Sequence, residues 1–333
     1  MKWTDRKVLV TGADGFIGSH LAEALVRAGA DVTVLSLYNS FDRHGWLDHS
    51  PQDIRAAMHL VRGDVRDPHQ MKSLVAGHHI VFHLAALIAI PYSYAAPASY
   101  VDTNIQGTLN LLTAARDCGI ERFVHTSTSE VYGTAQFTPI TEDHPLQGQS
   151  PYSASKIGAD VMVESFYRSF DLPAVILRPF NTYGPRQSER AVISTIIRQV
   201  LDPRCAVIRI GDMTPKRDFN YVGDTVSAFM ALADAPDTCN GQVFNAGTGR
   251  MVTIRETFDI IMQLCGCSKD VVQEEERTRP TKSEVFALMA DAGKLQSATD
   301  WVADTMLEQG LEKTIAWWSQ NLHLVRDDSS FMR

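Results

Sequence analysis

Five residues in two short runs are the best candidates for chemistry in this sequence. Tyr152 and Lys156 are four residues apart, so on a helix they share one face. A lysine ammonium beside a phenol favours the phenolate, which lets the tyrosine accept a proton near neutral pH. Thr128 offers a hydroxyl to hold a substrate oxygen against Tyr152, while Ser129 and Glu130 add a second hydroxyl and a carboxylate. Taken alone, the Tyr-x-x-x-Lys spacing also fits an ordinary solvated helix face.

A strand, a glycine turn and a helix follow one another at the start of the chain. A short buried strand is predicted over 7–11 and a helix over 19–28. The G-x-x-G-x-x-G spacing between them permits a tight turn, brings backbone close to a pyrophosphate and lets helix and strand pack closely. The helix N-terminus adds a partial positive charge. The sequence therefore predicts a dinucleotide site with contacts from Gly12, Gly15, Phe16 and Ile17, and with Gly18 where helix meets strand.

The end of the second predicted strand, 31–35, leaves NAD and NADP both open as the cofactor. An NAD-binding protein often carries Asp or Glu there, which bonds the ribose 2′-hydroxyl. This chain has Ser36 instead, which removes one repulsion against a 2′-phosphate, and Arg43 would attract such a phosphate. Asp42 would still serve a ribose hydroxyl if the loop folded back.

Strands and helices alternate through the rest of the first half of the chain. Strands are predicted over 59–65, 80–84, 122–126 and 174–177, and helices over 100–118 and 151–170. This alternation, without an internal repeat, indicates an α/β fold with a doubly wound parallel sheet of the Rossmann type. Such sheets bind ligands at the carboxyl ends of their strands. We expect further cofactor contacts there from Asp64, Val65, Leu84, Ala85, Ala86 and Asn104.

The pattern becomes less regular after residue 184. Segments 185–220 and 251–325 predict a smaller, mixed α/β domain that binds the substrate. The stretch 221–250 is predicted to return to the first domain, which then comprises 1–184 plus about 221–250. A chain of 333 residues, 44% of them hydrophobic, is long enough to bury a core in each part.

Composition and charge exclude several classes of function. The net charge is −8, from 31 basic and 39 acidic residues without a basic stripe, which argues against nucleic-acid binding. No apolar run is long enough to span a bilayer, and no signal peptide opens the chain. The five cysteines are scattered and indicate reduced thiols, so we expect a cytoplasmic protein. The eleven histidines include no H-E-x-x-H, and no metal site is predicted.

These motifs, taken in their order, resemble the extended short-chain dehydrogenase/reductases of the nucleotide-sugar epimerase and dehydratase group. The resemblance runs from residue 7 to about 285. More narrowly, the stretches 87–94, 126–135 and 279–285 resemble the NDP-N-acetylglucosamine 4,6-dehydratases of the legionaminic-acid pathway. The matching motifs are Gly12/Gly15/Gly18, Asp64-Val65, His83 to Ala86, Asn104, Thr126 to Gly133, Tyr152/Lys156, Arg178 to Asn181 and Arg217-Asp218-Phe219.

The resemblance implies a reaction in which NAD or NADP is tightly bound and regenerated in each turnover. Hydride leaves sugar C4 while Tyr152 takes the C4 hydroxyl proton, Lys156 lowers the pKa of Tyr152, and Thr128 bonds the C4 oxygen. Glu130 would then remove the C5 proton, water would leave from C6, and hydride would return to C6.

The resemblance also implies the partners. The substrate would be UDP- or GDP-N-acetylglucosamine, and the protein would form a homodimer through the helices at 100–118 and 151–170. Contacts to the nucleotide sugar are expected from Ile88, Asn181, Arg217 and Arg279.

One departure from the family pattern keeps other reactions open. Many hexose 4,6-dehydratases carry Thr-Asp-Glu, whose Asp protonates the leaving C6 hydroxyl, whereas this chain has Ser129. Thr-Ser-Glu also resembles the UDP-glucuronate decarboxylases, and a C4-epimerase is a further alternative, although it needs no base such as Glu130. A catalytically silent NAD(P)-binding protein is the alternative outside enzymes; the complete Thr128, Tyr152 and Lys156 set argues against it.

Overall fold

The computed structural model describes residues 3–274 and 287–324. Its strands are β1 Lys7–Thr11, β2 Asp31–Leu37, β3 Met58–Gly63, β4 Ile80–His83, β5 Arg122–Thr126, β6 Ala174–Pro179, β7 Thr182–Tyr183, β8 Val207–Ile210, β9 Lys216–Arg217, β10 Asn220–Tyr221, β11 Val243–Ala246, β12 Val252–Thr253 and β13 Asp270–Gln273. Its helices are α1 Phe16–Arg27, α2 Gln52–Ala56, α3 Pro68–Val75, α4 Ile90–Ala95, α5 Pro97–Tyr100, α6 Gly107–Cys118, α7 Pro151–Phe170, α8 Val192–Leu201, α9 Val222–Ala233, α10 Ile254–Leu264, α11 Gly293–Thr299 and α12 Leu307–Asn321.

Seven parallel strands form the central sheet, in the order β11-β6-β5-β4-β1-β2-β3. The predicted Rossmann fold is confirmed. The order reverses between β1 and β4, and open α/β sheets bind ligands beside such a reversal, at the carboxyl ends of the strands. Two polar residues, Thr11 and His83, are paired at that end.

The strands of the sheet are apolar on both faces because helices cover both sides. Val8 and Val10 belong to one hydrophobic cluster, which includes Leu21 of α1 and Phe229 of α9. Leu9 points the other way, into a cluster with residues of α6 and α7. This burial fixes the register of β1 and thereby the position of the glycine turn that follows it.

A separate hydrophobic cluster lies in the later part of the chain, with members from α8, β8, α10 and α12. Ile196, Ile208 and Ile261 are fully buried there. The strand β11, within the stretch predicted to return to the first domain, pairs with β6 of the central sheet. The division of the chain into two domains stays a prediction.

The prediction of a single α-helix over 100–118 is wrong in one respect. The chain passes from α5 through a π-helical turn, Val101–Gln106, into α6. Within this wider turn, Asn104 is buried and its amide bonds both the N–H and the C=O of Leu87, as well as Ser155 Oγ. These three hydrogen bonds satisfy the buried amide and hold the segment that follows β4 against α7.

Two other boundaries differ from the prediction in ways that affect the site. Helix α1 begins at Phe16, directly after Gly15, so Phe16 and Ile17, two of the predicted cofactor contacts, belong to its first turn. Strand β3 ends at Gly63, which leaves Asp64 and Val65 in the loop at the carboxyl edge. Among the described residues, no helix is long and apolar enough to cross a membrane.

Candidate active site

A cavity of about 1040 Å³ lies along the carboxyl edge of the sheet. Its walls come from the β1–α1 turn, the ends of several strands, the start of α7 and the chain from 179 to 191. Sixteen of the predicted site residues line it: Gly12, Gly15, Phe16, Ile17, Asp64, Val65, Leu84, Ala85, Ala86, Ile88, Thr128, Ser129, Glu130, Tyr152, Lys156 and Asn181. The fold therefore gathers residues from positions 12 to 181 around one space.

Four of the predicted site residues that the structure describes do not line the cavity, and a fifth, Arg279, lies outside the described residues. Ser36 is fully buried and its hydroxyl bonds His44 Nδ1 at 2.8 Å and the carbonyl of Val61, so it faces away from the cavity. Arg43 is exposed in the loop after β2. Neither residue lines the cavity, and their contact with the cofactor stays a prediction.

The other three predicted residues are Asn104, Arg217 and Arg279. Asn104 fixes the neighbouring backbone, as described above, and does not reach the cavity. Arg217 lies on β9, where its guanidinium donates to the carbonyl of Lys216 at 3.0 Å. Arg279 is outside the described residues.

The β1–α1 turn forms a cradle that only glycine permits. Gly12 has φ +67°, and a Cβ there would lie 2.6 Å from the backbone nitrogen of Ala85. A Cβ on Gly18 would lie 2.2 Å from the carbonyl oxygen of Gly12. Gly15 caps α1 without a side-chain hydrogen bond, so the first N–H groups of the helix lack a side-chain acceptor. These features fit the pyrophosphate of a dinucleotide.

Local sequence places Tyr152 and Lys156 at the start of α7. Ser150 is the N-cap, and its hydroxyl accepts from Ser153 N while Ser153 Oγ accepts from Ser150 N. Pro151 at the first helical position favours helix initiation there. The result is a firmly capped first turn, which carries Tyr152 into the cavity with Lys156 one turn behind.

Thr128 and Glu130 come to the same wall from the end of β5. Thr128 caps a short 3₁₀ turn, Ser129–Tyr132, and its hydroxyl accepts from the N–H of Glu130 at 3.2 Å. Thr128 lies near the Tyr152 phenol and lowers its pKa. The carboxylate of Glu130 is close enough to affect the titration of Tyr152. A hydroxyl, a phenol and a carboxylate therefore face one region of the cavity.

The charges at this wall differ from the prediction in one respect. Burial raises the pKa of Tyr152 well above its ordinary value, against a lowering by the hydrogen bond from Thr128. Burial lowers the pKa of Lys156 to about 8, and Asp160 acts in the opposite direction. The expected lowering of the Tyr152 pKa by Lys156 is not among the main influences on the phenol in the protein alone. The pair thus consists of a buried Tyr152 phenol that resists ionisation and a buried Lys156 ammonium that loses its proton readily.

A buried polar network behind Lys156 was missed from the sequence. Asp160 Oδ2 accepts from Arg178 Nη2 at 3.0 Å and from Ser127 Oγ at 2.7 Å, and both charged groups are almost completely buried. Arg178 also donates to the Tyr132 hydroxyl at 3.0 Å. The available signal was the spacing, because Asp160 continues the four-residue interval of Tyr152 and Lys156.

This network joins β5, β6 and α7 beneath the wall of the cavity that carries Thr128, Tyr152 and Lys156. His125 Nε2 lies 3.4 Å from Asp160 Oδ1. Burial lowers the pKa of His125 to about 4, so the imidazole is neutral at physiological pH. Burial alone would raise the pKa of Asp160, but His125, Arg178 and Lys156 together hold it below its ordinary value. Asp160 is therefore a carboxylate that supplies a fixed negative charge behind Lys156.

The comparisons with known proteins agree with this geometry. The family model described as GDP-mannose 4,6 dehydratase matches residues 9–314. A dTDP-glucose 4,6-dehydratase of Streptomyces antibioticus is 32% identical, over 94% of this chain and 92% of the relative.

Two solved structures are similar along their whole length. The UDP-N-acetylglucosamine 4-epimerase of Methanobrevibacter ruminantium M1, in complex with UDP-N-acetylmuramic acid, has a TM-score of 0.86 and 31% identity, and the similarity covers 96% of this chain and 99% of that one. The structure of MoeE5 in complex with UDP-glucose and NAD has a TM-score of 0.82 and 32% identity, covering 95% and 99%.

The chain belongs to the GDP-mannose 4,6 dehydratase family, within the nucleotide-sugar epimerases and dehydratases of the extended short-chain dehydrogenase/reductases. The narrower resemblance to enzymes of the legionaminic-acid pathway stays a prediction.

Proposed function

We propose that this protein is a nucleotide-sugar 4,6-dehydratase that converts UDP- or GDP-N-acetylglucosamine to the 4-keto-6-deoxy sugar. The family model and the Streptomyces relative support a dehydratase, and the complex of MoeE5 with NAD supports a nicotinamide cofactor. When bound, the oxidised nicotinamide accepts a hydride from the sugar and later returns it. Because it is regenerated in each turnover, the cofactor stays tightly bound.

The first half of the reaction is an oxidation at C4. Tyr152 takes the proton of the C4 hydroxyl as the C4 hydride departs, and Thr128 holds the C4 oxygen against the phenol. Lys156 binds the nicotinamide ribose, and its ammonium favours the phenolate. The position of Thr128 and Tyr152 on the same cavity supports this assignment, because both groups are then able to contact one substrate oxygen.

The observation that carries the proposal is the position of Glu130 beside Tyr152. Oxidation at C4 makes the C5 proton acidic, and a second base is then needed to remove it. Glu130 lines the cavity and its charge acts on Tyr152, so the carboxylate is suited to a carbon adjacent to the oxidised one. Glu130 then passes the C5 proton to the C6 hydroxyl, which leaves as water; hydride returns to C6, and a proton from solvent is added at C5.

Two alternatives within the family have specific support. A C4-epimerase is favoured by the similarity to the Methanobrevibacter epimerase, but it would leave Glu130 without a task. A UDP-glucuronate decarboxylase is favoured by Ser129, since decarboxylation needs no acid for a leaving hydroxyl. Against the decarboxylase, the family model and the Streptomyces relative both support a dehydratase.

The test uses purified protein without added cofactor, incubated with UDP- and GDP-N-acetylglucosamine in deuterated water. We expect the product to have lost one water and to carry one solvent deuterium at C5, read by mass spectrometry and NMR. A new C4 epimer of unchanged mass would establish the epimerase instead. Turnover of UDP-glucuronate alone, with loss of carbon dioxide, would establish the decarboxylase.

A variant of Glu130 sharpens the test. In Glu130→Gln we expect the reduced nicotinamide absorbance to appear with substrate while water loss falls by about 10²- to 10³-fold, because oxidation at C4 survives without the C5 base. Glu164→Gln is the matched control, since Glu164 lies on α7 and pairs with Arg168 away from the cavity. Unchanged water loss in Glu130→Gln would overturn the role of Glu130.

We also propose a homodimer formed through α6 and α7. Val101, just before α6, and Val161 on α7 are each about half exposed, which supports an apolar contact on this face. In Val161→Glu we expect the mass measured by light scattering to fall to that of the monomer. A monomeric wild-type protein would contradict the proposal.

A further inference from the structure

Asp14 is a carboxylate in the glycine turn to which the sequence analysis gave no role. It lines the cavity together with Gly12, Gly15 and Leu37. Its Oδ2 accepts from the N–H of Leu37, the last residue of β2, at 3.3 Å. The side chain therefore sits between the β1–α1 turn and the tip of the second strand.

The surrounding backbone holds Asp14 in this position. The N–H of Trp46 donates to the carbonyl of Asp14 at 3.0 Å. Gly45, with φ +57°, packs so closely that a Cβ there would lie 2.4 Å from the same carbonyl oxygen. The loop after β2 is thus closed down onto Asp14, which leaves the carboxylate facing the cavity.

The tip of the second strand is where a dinucleotide-binding sheet meets the adenosine ribose, commonly through an acid on that strand. Here the strand offers Ser36, whose hydroxyl is occupied by His44 on the side away from the cavity. Asp14 brings a carboxylate to the same place from the neighbouring turn. Asp14 therefore offers a carboxylate at the place where β2 itself has none.

Two arginines near this end of the cavity are already paired with acids. Arg66, which lines the cavity, bonds both carboxylate oxygens of Asp64. Arg62 forms an ion pair with Asp42, and its Nε contacts His44. A 2′-phosphate would therefore meet the charge of Asp14 and compete with existing ion pairs for an arginine.

We propose that Asp14 is the specificity-determining residue for the cofactor, accepting hydrogen bonds from the adenosine ribose hydroxyls and excluding a 2′-phosphate, so that the protein uses NAD and not NADP. This inference rests on the nicotinamide cofactor of the proposed function. It is independent of which sugar is turned over, since cofactor binding is measured without substrate.

The first measurement identifies the nucleotide that the purified protein carries, after denaturation, by mass spectrometry. We expect NAD. Calorimetric titration of stripped protein with NAD+ and with NADP+ is then expected to show a preference for NAD+ of about 100-fold or more. Because burial raises the pKa of Asp14, the titrations are made at pH 8, where the carboxylate is ionised.

Two substitutions separate charge from hydrogen bonding. Asp14→Asn keeps an acceptor for Leu37 but removes the charge, and we expect the NAD+ preference to fall by about tenfold or more, mainly through tighter NADP+ binding. Asp14→Ala removes both and is expected to weaken NAD+ binding by about tenfold as well. Asp31→Asn is the matched control, because Asp31 lies at the opposite end of β2 and pairs with His59.

Three results would overturn the proposal. They are NADP recovered from the wild-type protein, equal affinity of the wild type for the two nucleotides, or an unchanged preference in Asp14→Asn. Thermal unfolding of each variant excludes loss of the fold as the cause of a changed affinity. An unchanged preference in Asp31→Asn supports the assignment to Asp14 in particular.

Discussion

The two sides of the cavity differ in how well their residues are defined. On the side of the sheet, Thr128, Tyr152 and Lys156 stand on the end of a strand and the start of a capped helix, above a buried ionic network. On the side of the second half of the chain, Arg217 lies off the cavity and Arg279 is outside the described residues. The parallel strands of one sheet bring their carboxyl ends to one edge by topology, whereas the position of a residue outside that sheet depends on contacts that spacing does not reveal.

The sharpest test of the well-defined side is Tyr152→Phe. We expect turnover to fall by about 10³- to 10⁴-fold while the cofactor remains bound, because the phenyl ring keeps the packing but cannot accept the C4 proton. Turnover and retained nucleotide are measured on the same preparation. Tyr94→Phe is the control, because Tyr94 is exposed on α4. Equal turnover in the two variants would remove Tyr152 from the mechanism.

The buried network is tested by Asp160→Asn. We expect the free energy of unfolding to fall by about 3–5 kcal/mol, because Arg178 is left buried without its charged partner. Ser127→Ala removes only one hydrogen bond to the same carboxylate and is expected to cost about 1 kcal/mol. Urea denaturation measures both. Equal losses would mean that the charge of Asp160 is not what stabilises this wall.

The variant Asp160→Asn also tests how the rate of C4 oxidation depends on pH. Burial lowers the pKa of Lys156 to about 8, so the contribution of its ammonium to C4 oxidation is expected to be fully present below that pH and to decline as pH rises through it. Asp160 raises the pKa of Lys156, so in Asp160→Asn the decline moves to lower pH. Ser127→Ala retains the carboxylate and is expected to keep the wild-type midpoint. An unmoved midpoint in Asp160→Asn would contradict the electrostatic role.

The glycine cradle offers a matched pair of substitutions. Gly12→Ala and Gly77→Ala both place a side chain at positive φ, but only Gly12 has backbone within 3 Å of the added Cβ. We expect Gly77→Ala to cost about 1 kcal/mol through strain alone, and Gly12→Ala to cost about 2–4 kcal/mol and to lose the bound cofactor. Thermal unfolding and nucleotide content measure both. Retained cofactor in Gly12→Ala would separate the turn from the dinucleotide site.

The smallest effect is expected on the less defined side, from Arg217→Ala. If Arg217 contacts the nucleotide sugar, as the sequence predicts, KM for the sugar nucleotide rises by about fivefold while kcat is unchanged. Arg209→Ala is the control, because Arg209, which lies on β8, pairs with Glu274. An unchanged KM would remove Arg217 from the substrate contacts.

Much of the site could be predicted because its chemistry is carried by local spacing. The G-x-x-G-x-x-G turn, the Tyr-x-x-x-Lys interval and the Thr-Ser-Glu run each lie within a few residues, and parallel strands bring their carboxyl ends to one edge. Ser36 shows the limit of such inference, since neighbouring positions on a strand face opposite sides and only the partner His44 shows which side was taken.

By itself, the sequence determined the Rossmann sheet, because periodicity and short-range spacing encode it directly, and it predicted most of the residues that the fold gathers around the cavity. Tertiary structure alone decided that Asp14 lies at the tip of β2, that Asp160 and Arg178 lie paired beneath Lys156, and that a π-helical turn anchors Asn104. Each of these arrangements joins segments that are 18 to 51 residues apart. Such distant contacts follow from how the elements pack together, and no local pattern of residues specifies them.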